Sequence, residues 1–67
     1  MISEIKSFWN DSGVPTLDEL KQCKSYAFHN KCVVKLQFRT SDGVEHKKFI
    51  SSSTSIEKMN DELKKLI

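Results

Sequence analysis

Cys23, His29, Cys32 and His46 are the side chains whose types suit metal binding or nucleophilic chemistry. A structural zinc site takes four such ligands, commonly as closely spaced pairs. Only His29-x-x-Cys32 has a short spacing. Cys32 also heads an alternating run, Cys32-Val33-Val34-Lys35-Leu36-Gln37-Phe38-Arg39, and falls on its apolar side. A core cysteine next to a surface histidine accounts for the pair, so no metal is expected. Two cysteines are too few for the disulfide framework of small secreted domains, and a Cys23–Cys32 bridge is not expected. Nothing in the sequence around either thiol marks it as a nucleophile of lowered pKa. There is no nucleophile elbow, phosphate loop, metal-binding helix motif or spaced acid pair. The expectation is a protein with no catalytic residue and no cofactor.

The remaining chemistry is that of cations. From Lys21 to Ile50, seven basic residues stand against Asp42 and Glu45, a balance of +5. The rest of the chain carries four basic against seven acidic residues, −3, which together make the net +2. Such separation orients a molecule toward an anionic partner. Lys35, Gln37, Arg39, His46 and Lys48 are the residues expected to share one exposed sheet face. Phosphates or the carboxylates of an acidic protein would both suit it. The same charges also serve as a solvated outer face that blunts strand-edge pairing. With ten lysines to a single arginine and no expected aromatic platform, the face suits a protein better than a nucleic acid. Trp9 is the other candidate contact. Phe8 and Trp9, adjacent on an expected helix, point about 100° apart. Phe8 then packs inside, and Trp9 covers the rim or anchors a partner.

The elements that position these residues follow from patterning. Sixty-seven residues allow one domain, residues 1–67. So short a chain buries only about 60% of its unfolded surface and has little room for an enclosed pocket. Ile2, Ile5, Phe8 and Trp9 suggest a helix from Ile2 to about Asn10, stopped by Asn10-Asp11-Ser12-Gly13. Thr16-Leu17-Asp18-Glu19 fits a capping box and predicts a short second helix to about Cys23. Ser25-Tyr26-Ala27-Phe28 reads as a strand, with His29-Asn30 turning into Cys32–Arg39. There Cys32, Val34, Leu36 and Phe38 face one way, and Val33, Lys35, Gln37 and Arg39 the other.

Asp42-Gly43 turns the chain back. A two-residue loop sets Leu36 opposite Phe49 on the apolar side, with Val33 and Ile50 as islands on the basic side. A three-residue loop with a glycine bulge slips the register by one and puts Ile50 inside. The first is favoured because it pairs two large apolar side chains. Thr54-Ser55-Ile56-Glu57 opens a last helix with the stripe Ile56, Met59, Leu63 and Leu66. The expected fold is α+β: a three-stranded antiparallel meander with an N-terminal helix or helical hairpin and a C-terminal amphipathic helix on one face, order α(α)βββα. That order is also the order of the double-stranded-RNA-binding domain, which it resembles in topology only. The lysine cluster that begins the last helix in that family has no counterpart in Ser53-Thr54-Ser55-Ile56-Glu57-Lys58.

Neither a signal peptide nor an apolar run of the roughly 18 residues needed for a membrane span is present, and the expected location is cytoplasmic. Small size without catalytic signatures fits a non-enzymatic inhibitor or adaptor, of the kind that phages and mobile elements encode and release into a host cytoplasm. Its expected partner is a protein with an acidic surface. A nucleic-acid binder using the same hairpin face is the alternative, and a small structural homo-oligomer or homodimer the other.

Overall fold

The computed structural model describes residues 4–66, and five elements form among them. They are β1 (Glu4–Asn10), α1 (Leu17–Asn30), β2 (Cys32–Arg39), β3 (Glu45–Ile50) and α2 (Ile56–Lys64). The sheet order is β1-β2-β3, with β1 parallel and β2–β3 antiparallel. The order is therefore βαββα and the sheet is mixed, which overturns the expected α(α)βββα antiparallel meander.

The first correction lies at the N-terminus. Residues expected to be helical form β1 instead; Ile2, where that helix was to begin, lies outside the described residues. The spacing of Ile5, Phe8 and Trp9 suits either period. The strand period wins because Ile5, Ser7 and Trp9 alternate with Lys6 and Phe8, and because the next 14 residues of secondary structure supply a crossover. A parallel neighbour needs such a connection, usually a helix. Asn10 Nδ2 donates to the Gly13 carbonyl at 2.8 Å, and Gly13 takes a φ of +93°, turning the chain toward α1.

The second correction is α1. The expected helix to Cys23 and strand at Ser25–Phe28 are one continuous helix. Its capping box is formed as expected: Glu19 N–H donates to Thr16 Oγ1 at 3.2 Å, and Thr16 N–H to Glu19 Oε1 at 3.1 Å. Leu20, Cys23 and Ala27 then recur at helical spacing toward the core, and only small Ala27 must be buried in the last turns. Tyr26 and Phe28 favour strands by propensity, yet they project outward. The helix ends at Lys31, whose left-handed φ of 51° lets its N–H reach the Ala27 carbonyl.

The hairpin takes the other register of the two weighed. Thr40 N–H donates to the Val44 carbonyl at 3.0 Å and Gly43 N–H to the Thr40 carbonyl at 2.9 Å. Ser41-Asp42-Gly43 is thus a three-residue loop, with Gly43 at a φ of +85° as its bulge. Leu36 faces Lys48 and Val34 faces Ile50, so Ile50 is buried and Phe49 is not. Helix α2 begins one residue later than the expected box. Ser55 accepts from Lys58 N–H, while Thr54 Oγ1 accepts from Ser51 N–H at 2.8 Å. Both helices cover one face of the sheet, where Leu20, Ala27, Val34, Leu36, Phe38, Ile50, Ile56 and Leu63 form a single core. Of the expected helical stripe, Ile56 and Leu63 are buried, Met59 packs at the margin and Leu66 stays exposed.

Two outcomes follow for this hairpin. Ile50→Ala should lower stability by about 2–5 kcal/mol, and Phe49→Ala by less than about 1 kcal/mol. Urea titrations of the pair check the register, and the opposite ranking would refute it. The second concerns acid. The Thr40 hydroxyl and then the Val44 N–H donate to Asp42, holding its carboxyl below the usual carboxylate range. A carboxyl lowered by folding stabilises the turn above its unfolded pKa of about 3.9, and that support is lost as pH falls through the folded value. The Gly43 and Val44 amide signals should shift over this acidic window in NMR spectra. Asp42→Asn should abolish that titration; persistence in the variant would exclude Asp42 as its cause.

Candidate functional site

The face of the sheet opposite the helices is built by the cross-strand partners of Val33, Lys35, Gln37 and Arg39. Directly paired residues share a face. Strand β1 therefore adds Ile5, Ser7 and Trp9, and β3 adds Glu45, Lys47 and Phe49. Both helices lie on the other side. The face divides into three zones. At one end Ile5 and Val33 are paired, with Phe49 on the adjacent strand one step along. In the middle lie Ser7, Lys35, Gln37 and Lys47. At the other end Trp9, Arg39 and Glu45 form a cross-sheet series. The Arg39 guanidinium carbon lies 5.8 Å from the Trp9 ring centroid, and Arg39 Nη2 is 2.7 Å from Glu45 Oε1.

The large apolar side chains here are far from buried. Ile5, Trp9 and Phe49 are 55%, 46% and 49% exposed. Trp9 is thus a surface residue on a strand rather than a rim residue on a helix. The balance of charge is positive, with Lys35, Arg39 and Lys47 against Glu45. Arg39 is engaged by Glu45, which leaves the two lysines as the cations of the face not held in an ion pair among the described residues.

Of the expected contact set, Trp9, Lys35, Gln37 and Arg39 come together. His46 and Lys48 do not, because the register places both on the helix side. The His46 ring stacks on Phe38 at 5.4 Å between centroids, and Lys48 Nζ lies 3.5 Å from Glu62 Oε2 on α2. Ile5, Ser7, Glu45, Lys47 and Phe49 are the residues of this face that sequence reasoning missed. The three-residue loop could have shown three of them, since Thr40-Ser41-Asp42-Gly43 suits a type I turn followed by a left-handed glycine. The alternation of Ile5, Ser7 and Trp9 could have shown the other two.

The cysteines and histidines do not converge. Cys32 is buried at the start of β2, Cys23 is half-buried on α1, and His29 lies exposed against the Phe28 ring. Among the described residues no group of three or more His, Cys, Asp or Glu side chains assembles. Burial, and then the nearby Glu19 charge, push the Cys23 thiol above its ordinary value, opposite to the shift of an activated nucleophile.

Comparison with protein-family models, curated proteins and solved structures finds no match. Among the described residues no helix is long and apolar enough to cross a membrane.

The raised Cys23 thiol carries a direct expectation. Alkylation of the folded chain by iodoacetamide near neutral pH should be slower at Cys23 than in the denatured chain. The difference should narrow as pH rises. Mass mapping of the labelled residue checks this, and equal rates in the two states would contradict it.

Proposed function

We propose that this chain is a non-enzymatic binding protein that lays the open face of its sheet on an acidic, partly apolar surface of another protein. It would act there as an inhibitor or adaptor. The observation that carries the reading is the uncovered face itself, with Trp9 and Phe49 half-exposed on opposite edge strands around Lys35 and Lys47. Exposed Trp and Phe are side chains enriched at binding interfaces, and the lysines around them suit the polar rim of such a contact. The cations would steer encounter with carboxylates, and the aromatics would supply contact area. Cytoplasmic action is part of the proposal, since two free thiols suit a reducing compartment.

A second reading rests on the same pair of rings. Single-strand binders stack bases on exposed sheet aromatics and hold the backbone with cations. Trp9 and Phe49 supply the aromatic pair that the expected register lacked. The protein reading is preferred because Ile5 and Val33 offer nothing to stack on a base, and because Arg39 is engaged by Glu45.

The two are separated by one set of variants. Lys35→Glu/Lys47→Glu should lower capture of a specific host protein about tenfold or more, equivalent to at least ~1.4 kcal/mol. Lys21→Glu/Lys58→Glu, which makes the same change of charge on exposed helix positions, should leave capture intact. Equal capture by all three chains would reject the sheet face. Fluorescence of Trp9, the single tryptophan, tests the other reading. Strong quenching by a single-stranded oligonucleotide at low salt, reversed by salt, would favour nucleic acid.

A further inference from the structure

The two edges of the sheet are not equivalent. Strand β3 presents Glu45, Lys47 and Lys48 along its length. Any two-fold antiparallel pairing of β3 with its own copy centred near its middle brings lysine against lysine, the charged-edge device that keeps sheets apart. Strand β1 has no such guard. It holds three large apolar residues in seven, Ile5, Phe8 and Trp9, each 40% exposed or more. Its one lysine, Lys6, is 2.9 Å from Glu4 of the same strand, and that contact raises the Lys6 pKa. Among the described residues, nothing pairs with the outer edge of β1, so a row of backbone donors and acceptors faces outward.

We propose that β1 pairs antiparallel with β1 of a second copy of this chain, about a two-fold axis at Ser7, joining two three-stranded sheets into one of six. The sequence of β1 selects this register. Residues directly opposite in an antiparallel pair point to the same face. An axis through one residue therefore keeps both helical layers on the same side. With Ser7 on the axis all seven residues overlap. Ile5 then faces Trp9 of the second copy on the open side, and Lys6 faces Phe8 of the second copy on the helix side. Glu4 faces Asn10 of the second copy. No charge meets its own kind. Moving the axis to Lys6 sets lysine on lysine. Moving it to Phe8 shortens the overlap and places Ile5 against Asp11.

The helix side adds a complementary feature. Phe8, Cys23, Tyr26 and Leu36 line a shallow groove of about 290 Å³ between β1 and α1, with Glu19 at its margin. Lys6 of the second copy, beside Phe8, reaches the mouth of this groove. The Phe8 and Tyr26 rings already meet there edge to face, 5.2 Å apart. This inference is independent of the open-face reading, since either contact can form without the other.

Sedimentation equilibrium over a wide concentration series tests it. The natural chain should rise from the mass of one chain to that of two and stop there. Ser7→Lys, at an exposed position on the axis and beside Lys35, should remain a monomer at every concentration, while circular dichroism shows an unchanged fold. Ser7→Thr should dimerise like the natural chain, keeping the test open if the lysine variant fails to fold. Ile5→Lys and Trp9→Glu should each weaken association at least tenfold. The double variant should recover it, because opposite charges then face each other across the axis. A natural chain that stays monomeric throughout overturns the proposal and leaves β1 as an edge for some other extended segment. Dimers indifferent to Ser7→Lys, or no recovery in the double variant, overturn it too.

Discussion

Everything in this fold hangs on the alternation of β2. Among the described residues it is the one strand paired on both sides, and it places Val34, Leu36 and Phe38 in the core while Lys35, Gln37 and Arg39 face away. Because side chains change face at every residue, β2 sorts both neighbours. The parallel register of β1 and the bulged turn to β3 carry that sorting outward. One residue of slip in β3 would exchange Ile50 for Phe49 on the face that holds the core, and one in β1 would turn Ile5 and Trp9 toward it and Lys6 and Phe8 away.

Legibility followed how many levels of structure agreed. In β2, residue type, alternation and burial point the same way, and the strand was readable in full. The capping box at Thr16 and Glu19 is a local hydrogen-bond pattern and needs no tertiary help. Helix α2 was clear apart from a one-residue difference at its cap. Where local signals conflicted, reading failed. Tyr26-Ala27-Phe28 favours a strand by residue type, but the helix buries only Ala27 of the three and leaves both aromatics at the surface. Ile5, Phe8 and Trp9 fit two periods, and only the β2 edge, distant in sequence, decides between them. Apolar pairing favours Phe49 inside, the register the hairpin does not take, because Phe49 and Ile50 are both large; the hydrogen bonds of Thr40 and Gly43 decide it.

The same mechanism explains why the candidate face was half legible. Lys35, Gln37 and Arg39 belong to the well-read strand and lie where alternation puts them. His46 and Lys48 were carried to the wrong face by the register, and Trp9 reached the right face from the wrong element. The outcome is a more apolar and more aromatic face than the one expected. Its cationic character survives because Lys47 takes the place of Lys48.

The pairing of β1 has a kinetic consequence. Strands β2 and β3 meet across a tight turn, but each residue of β1 meets its partner only after the whole of α1 has been laid down. Closing that span costs chain entropy before any ladder bond rewards it. Among the described residues the strand then rests on β2 as its sole strand neighbour, with its large side chains about half exposed. Strand β1 is thus placed to be the last segment to dock and the first to lift away, a detachable edge on a core that is already complete without it.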